Sequence, residues 1–376
     1  MDNRAWWIWL QHGLGAGASK QRRILERYGT LQAFYEAGAR DWRLEGYFTQ
    51  KEIARLQRFT PENAAAQLAY AQQLGQQVLT PDMPDYPEKL RQLSNYPCVL
   101  YGKGRLPPVD FLLTVAMVGT RKATEDGLHA AHRLSAGMAR AGAVIVSGGA
   151  LGIDTEAHRG ALEAGGYTIC VLGCSIEYDY LMSNAGLREE IARTGALLSE
   201  YPPGTAGMPS NFPVRNRIIS GLSDAVVVVE AAARSGSLIT AHCALDQGRD
   251  VFAVPGSVEN VFARGTNALL RDGCAPAICA QDVLGAYETR YKLHVPEEGQ
   301  APAVQPQGGR TAPKAAPEDL PADAAQLYRA LTREPRPLDE LCESAGLPVS
   351  RLLAAATELE LRGLAAGVSG QRYART

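Results

Sequence analysis

Hydrophobic and polar positions along the chain change rhythm several times. Residues 1–60 read as short helices: an apolar segment, the turn Gly13-Leu14-Gly15-Ala16-Gly17, then residues 19–28 with Ser19 as N-cap. Pro81, Pro84 and Pro87 mark a bridge, and residues 96–102 an extended piece before the next unit. From Phe111 short β-branched runs alternate with helix-length segments. The predicted strands are residues 112–118, 143–147, 168–172, 196–199, 225–229 and 251–254. Between most of them lie residues 123–140, 155–164, 184–193 and 238–247, spaced as helices. Nearly all-apolar strands alternating with helices predict an α/β fold, a doubly wound and mostly parallel sheet, because such strands are covered on both faces.

Residues 294–317 are rich in Pro, Ala, Gly and Gln with almost no large apolar side chains, the composition of a flexible linker. After it, residues 324–331, 338–345 and 350–362 read as helices, and residues 363–367 with 371–373 as a small hairpin, together a winged-helix-like pattern. The chain thus divides into a helical domain over 1–80, an α/β domain over 81–290, a linker over 291–317 and a winged-helix-like domain over 318–376. As a recognition helix, residues 350–362 would offer Arg351 and Arg362 but also Glu358 and Glu360. Protein contact is therefore expected there ahead of duplex reading.

Of the 376 residues 46% are hydrophobic and 21% charged, which suits a globular protein and excludes disorder of the whole chain. The net charge of −2 is spread as +3 over residues 1–80, −4 over 81–290 and −1 over 291–376. No polybasic face is available to coat duplex DNA, so polyanion binding has to come from a few placed donors. A glycine-rich turn between helices can present N–H groups to phosphate, as in helix-hairpin-helix modules, but the small +3 balance favours packing for residues 13–17. Seven cysteines, mostly inside apolar runs, read as reduced thiols. With neither a signal-peptide core nor a membrane-length apolar run, the expected location is cytoplasmic, with no membrane partner.

Ligands of open α/β sheets sit beyond the carboxyl ends of the strands. Those ends read Gly119-Thr120-Arg121, then Ser147-Gly148-Gly149-Ala150-Leu151-Gly152-Ile153-Asp154, then Gly173-Cys174-Ser175. Further along come Glu230-Ala231, Ser235-Gly236-Ser237 and Pro255-Gly256. Glycine lets the backbone approach a ligand, and helix N-termini offer unpaired N–H groups with a positive dipole end. Several such turns on one rim predict a phosphate-bearing ligand. Neither GxGxxG at the first turn nor GxxxxGK[ST] anywhere is present. Arginines stand out instead: Arg121 leaves the first turn, and Arg215-Asn216-Arg217 follows Asn211-Phe212-Pro213 into a helix. Arginine suits bidentate phosphate contacts and stacking on bases.

These turns, together with Ser199-Glu200-Tyr201-Pro202-Pro203-Gly204, Phe212-Pro213-Val214-Arg215-Asn216-Arg217-Ile218-Ile219-Ser220-Gly221 and Gly265-Thr266-Asn267, resemble the DNA-processing protein A (DprA/Smf) family. So do Ser235-Gly236-Ser237-Leu238-Ile239-Thr240-Ala241 and Gly248-Arg249-Asp250-Val251-Phe252-Ala253-Val254-Pro255-Gly256. The likeness runs from about Tyr86 to Gly273. It implies an extended Rossmann-like domain flanked by a sterile-alpha-motif-like (SAM) helical domain and a winged-helix-like domain. It implies single-stranded DNA as partner, protected on entry in natural transformation and handed to the RecA recombinase, with a homodimer formed through the Rossmann-like domain. No cofactor and no covalent chemistry are expected, and the flanks are expected to recruit RecA or single-strand-binding protein. Carried over residue by residue, Gly119, Thr120, Arg121, Arg215, Asn216 and Arg217 would hold phosphates. Ser147, Gly148, Gly149, Ser235, Gly236 and Ser237 would supply backbone and hydroxyl donors, and Phe212 would stack on a base.

The third turn departs from the family pattern D-x-x-Y-P-x-x-N-x-x-L. It keeps Asn184, but Glu177 replaces the Asp, Leu181 the Pro, and no basic residue appears before Arg188. That shifts weight onto Arg121 and Arg217. A Rossmann-like nucleotide-binding protein or nucleotide N-glycosidic hydrolase is the alternative. Such hydrolases read PGGxGTxxE at the fifth-strand turn, and here Thr240 stands where their catalytic Glu falls, so no enzyme is expected. Glu230 is expected to cap or pair with an arginine, and Asp154 and Glu156 to offset a helix dipole. His129 and His132 lack further ligands at metal spacing, and Cys170 and Cys174 make no ligand pair, so no metal is expected.

Overall fold

The computed structural model describes residues 1–179, 181–293, 320–332, 336–362, 364–368 and 372–375. They fall into two compact units, Met1–Pro296 and Glu297–Thr376. Most of the expected linker, from residue 294 on, and Gly363 and Gln371 of the expected hairpin lie outside the described residues.

The first unit opens with helices α1 (Asn3–Leu14), α2 (Gln21–Tyr28), α3 (Leu31–Leu44), α4 (Gln50–Arg58) and α5 (Pro61–Gln73). Thr30, Thr49 and Thr60 start α3, α4 and α5 by accepting an N–H from the first turn with their side chains. Ser19 does not serve α2 in this way. Lys20 occupies the cap position without a side-chain bond, and its ammonium pairs instead with Glu52 at 2.7 Å. Trp9, Phe34 and Trp42 pack ring on ring beneath these helices, and the Trp9 indole N–H donates to Leu56 O at 3.1 Å.

The chain then builds one sheet. Its strands are β1 (Gln77–Leu79), β2 (Leu100–Gly104), β3 (Thr114–Val118), β4 (Val144–Ser147), β5 (Thr168–Leu172), β6 (Ala196–Ser199), β7 (Ala225–Val228), β8 (Asp250–Ala253) and β9 (Ala275–Pro276). The intervening helices are α6 (Glu88–Arg91), α7 (Glu125–Arg140), α8 (Ile153–Glu163), α9 (Ala185–Thr194), α10 (Asn211–Gly221), α11 (Gly236–Asp246), α12 (Arg264–Arg271) and α13 (Ala280–Leu284). Strand order is β1-β2-β6-β5-β4-β3-β7-β8-β9, antiparallel across β1-β2-β6 and parallel from β6 to β9. All six strands expected from apolar runs form, close to their expected ends. The edge strands β1 and β9 were not foreseen.

Alternation along the buried strands sends side chains into two cores. Ala116, Val118, Val226 and Val228 face the layer holding α10, α11 and the N-terminal helices. Val115, Met117, Val227 and Val229 face α7, α8 and α13. The bridge after β1 is pinned beneath the sheet, where the buried Lys89 ammonium meets Asp224 Oδ2 at 2.6 Å and Thr114 Oγ1 at 2.8 Å.

The second unit holds α14 (Ala322–Ala330), β10 (Arg336–Pro337), α15 (Leu338–Ala345), α16 (Val349–Leu361), β11 (Ala365–Val368) and β12 (Arg372–Arg375). Its strands pair in the order β10-β12-β11. Leu327, Leu341, Leu352 and Leu359 fill its core. Arg351 is paired with Asp323 at 2.5 Å and Arg362 with Glu358 at 2.7 Å, so both cations of this third helix have acidic partners.

Candidate nucleic-acid interface

From β3 the chain moves outward through β4, β5 and β6, then returns to lay β7 on the other side of β3. At such a switch the loops diverge and leave a crevice at the carboxyl edge. A cavity of about 660 Å³ lies there. Its walls are Gly119, Thr120 and Arg121 after β3, Ala150 and Asp154 at the start of α8, and Ser235, Gly236, Ser237 and Thr240 at the start of α11. Gly207, Pro209, Phe212, Pro213, Arg215 and Asn216, around the start of α10, close it. The N-termini of α8, α10 and α11 thus turn their positive dipole ends toward one space.

Local sequence dictates this convergence. Ser235 caps α11, its side chain accepting from Ser237 N. Gly152 caps α8 with φ at 80°, and a Cβ there would fall 2.5 Å from Thr120 O, so only glycine lets the first two turns meet.

Arg121 is exposed on the rim, with its guanidinium carbon 5.4 Å from the centre of the Phe212 ring. Arg215 approaches the same ring at 5.8 Å, but from within the wall. It is buried, and its Nη1 donates to Gly148 O at 2.9 Å and to Val171 O. Arg215 therefore supplies a fixed positive charge rather than a mobile grip. Burial raises the Asp154 carboxyl above its ordinary value, opposed by the charge of Arg215 and a hydrogen bond from Ala150 N. Asn216 accepts from Arg215 Nε at 3.2 Å.

Other expected site residues lie elsewhere. Arg217 points away from the cavity, since helix residues two apart are about 200° apart around the axis. It is buried, and its Nη2 meets Glu200 Oε1 at 2.6 Å. The same oxygen accepts Gly17 N at 3.2 Å, and Gln11 donates to Glu200 O. The anion met by the glycine-rich turn is thus a buried carboxylate of the neighbouring layer. Ser147 donates to Met117 O at 2.6 Å inside the sheet. Gly148 and Gly149 are buried behind the lining, Gly149 backing onto Cys170 Sγ. Asn184 donates to Thr155 Oγ1 at 2.8 Å and Gly149 O at 3.3 Å, tying the third turn to α8.

The departures in that turn have structural work. Glu177 accepts from Gly204 N and from Gln76 Nε2 at 3.0 Å, fastening the loop before α10. Burial would raise its carboxyl, but these bonds hold it below the ordinary value. Leu181 takes a left-handed φ of 54°, and Arg188 donates to its carbonyl at 3.3 Å.

Glu230 pairs with no arginine among the described residues. It accepts Thr124 N at 2.9 Å, Thr124 Oγ1 at 2.7 Å and Asn260 Nδ2 at 3.1 Å. Sequence reasoning missed Asp154, Pro209, Ile239 and Thr240 as lining residues. The last two follow Gly236 by three and four positions, one helical turn, a usable signal. His132 faces Glu163 with Nε2 and Glu156 with Nδ1, so its nitrogens serve different carboxylates. Among the described residues no group of three potential ligands could hold a metal ion, and no helix is long and apolar enough to cross a membrane.

The family model described as DNA recombination-mediator protein A matches residues 77–288, and that of the DprA winged helix domain residues 311–371. Protein Smf of Synechocystis is 32% identical over 400 residues, covering 100% of this chain and 99% of that protein. DNA processing protein DprA of Streptococcus pneumoniae is 41% identical over 203 residues, 54% of this chain and 71% of that protein. The X-ray structure of DprA from S. pneumoniae superposes with TM-score 0.65 at 31% identity, covering 76% of this chain and 98% of that one. DNA processing protein A from Helicobacter pylori, solved for its single-stranded DNA binding mode, gives 0.52 at 33% identity over 57% of this chain and 97% of that one. With its glycine turns gathered at the switch between β3 and β7 and both units matched, the chain belongs to the DNA recombination-mediator protein A (DprA/Smf) family.

Proposed function

We propose that this protein holds single-stranded DNA in the cavity between α8, α10 and α11, protects it in natural transformation and passes it to the RecA recombinase. The observation that carries this reading is Arg121 poised over Phe212 at the mouth of a space rimmed by helix N-termini. Arg121 and the N–H groups bind phosphates, Arg215 adds fixed charge from the wall, and Phe212 stacks on a base. Phosphate contacts and stacking tolerate any sequence, as a carrier of incoming strands requires. The single-stranded DNA binding mode studied in the H. pylori relative supports the same choice of ligand. The hydrolase alternative is weakened because Thr240 occupies the wall and Glu230 is held by Thr124 and Asn260. A homodimer formed through the Rossmann-like domain would place two cavities on one strand, each of moderate affinity, with avidity retaining the strand until RecA takes it in the cytoplasm.

Fluorescence anisotropy of a labelled single strand, titrated at several salt concentrations with duplex as competitor, tests the reading. Contact with about three to five phosphates gives a slope of log K on log[salt] near −2 to −3.5 per protomer. Weak binding that ignores Arg121→Ala would reject it and favour a mononucleotide ligand.

A further inference from the structure

We propose that α2 is a second contact for the single strand, where Arg22 and Arg23 hold DNA that has left the cavity. This rests on the reading of the cavity above and extends it to the helical segment.

Helix α2, Gln21-Arg22-Arg23-Ile24-Leu25-Glu26-Arg27-Tyr28, carries three arginines against one glutamate. Nearby carboxylates are taken up by other cations: Glu45 by Arg27 at 3.1 Å and Glu52 by Lys20 at 2.7 Å. Arg22 and Arg23 are exposed, and among the described residues neither is ion-paired. Arg22 spends one contact on Arg91 O at 3.4 Å and otherwise faces solvent. The guanidinium carbon of Arg23 lies 4.0 Å from the centre of the Tyr47 ring, which packs on Phe48 at 4.4 Å. A guanidinium held over an aromatic ring is a ready-made surface on which a base can stack while its N–H groups reach phosphate.

Position links this surface to the cavity. The turn that leads into α2 touches α10: a Cβ on Gly17 would lie 2.9 Å from Val214 Cγ1. Val214 follows Pro213, which lines the cavity. From Gly17 to Arg23 the chain spans at most about 20 Å, so a handful of nucleotides beyond Pro213 reach α2. An acidic protein tail could also meet two arginines. The aromatic backing and a reach of a few nucleotides from Pro213 favour a nucleic acid.

The test uses the full chain and labelled oligothymidylates of about 6 and about 25 nucleotides, bracketing the usual single-strand site sizes. Wild type should bind the longer strand tighter than added length alone explains. Arg22→Ala with Arg23→Ala should lose about tenfold on the long strand and flatten its salt slope by about 1.4, leaving the short strand unchanged. Arg23→Lys should keep the slope yet lose part of the gain, because lysine stacks poorly. Unaltered melting would show that the fold survives these surface changes. Wild-type affinity and slope in the double variant on the long strand would overturn the proposal and leave the acidic-tail partner. Failure of wild type to bind even the short strand would instead bring down the cavity reading, and this one with it.

Discussion

Arg217 and Glu200 close on each other inside the protein, Nη2 to Oε1 at 2.6 Å, with side chains 5% and 3% exposed. Two residues earlier on the same helix, Arg215 serves the cavity wall. Helix α10 therefore joins the cavity to the docking site of the N-terminal helices, because Gly17 N shares the Glu200 carboxylate.

Removing Arg217 would strand a buried carboxylate. Arg217→Ala is expected to cost about 3–5 kcal/mol of stability, seen as a lower midpoint in urea, while the folded fraction keeps the wild-type salt slope on DNA. Normal stability with a flatter slope would return Arg217 to the phosphate contacts.

At the cavity mouth the expected pattern is reversed. Arg121→Ala should leave the melting temperature unchanged and flatten the salt slope by about 0.7, the share of one phosphate. Phe212→Ala should weaken binding by about 1–3 kcal/mol with no change of slope, because stacking is uncharged. Equal slopes for Arg121→Ala and wild type would show that Arg121 touches no phosphate.

The glycines of the rim separate packing from access. A Cβ on Gly148 would fall 2.7 Å from Arg215 Nη2 and 2.8 Å from Asp154 Oδ2, both buried. Gly148→Ala should therefore lower both the melting temperature and DNA affinity. Gly236 has open space around its Cβ position and lines the cavity. Gly236→Ala should melt no lower than wild type, since alanine favours helix, yet bind DNA less tightly. If Gly236→Ala binds normally, the start of α11 does not approach the strand.

The fold was legible where strands are wholly apolar, as at Val144–Ser147 or Ala225–Val228, because full burial leaves an unbroken hydrophobic run. It was illegible at Gln77–Leu79 and Ala275–Pro276, short edge strands fixed only by their neighbours. In the site, glycine turns marked the edge of the sheet where the cavity opens. They could not tell an arginine that faces ligand from one that faces protein. Helical phase separates Arg215 from Arg217 once α10 is assumed. The partner that buries Arg217 lies in a different loop, and its pairing is a tertiary fact. Ser147 and Asn184 misled for the same reason: a hydroxyl or amide at a strand end serves ligand or backbone equally well in one dimension.

His158 gives the fold a pH dependence with a defined sign. Burial, with the charge of Arg215 adding to it, lowers its imidazole from 6.5 to about 3. The ring bonds Thr168 Oγ1 at 2.7 Å, and that hydroxyl donates to Ile145 O, so His158 Nδ1 carries the proton and donates. As pH falls through 6.5 the unfolded chain binds a proton that the folded chain refuses until about 3. Stability is therefore lost progressively across that window, at up to about 1.4 kcal/mol per pH unit. His12, whose imidazole burial also lowers, acts in the same sense, so the difference between wild type and a variant at 158 isolates His158. Urea midpoints at several pH values, wild type beside His158→Gln, should show the wild type losing stability more steeply below pH 6.5 than the variant. Equal slopes would mean that the folded protein takes up the proton at His158, which needs an acceptor or water at the buried Nε2 that has no partner among the described residues.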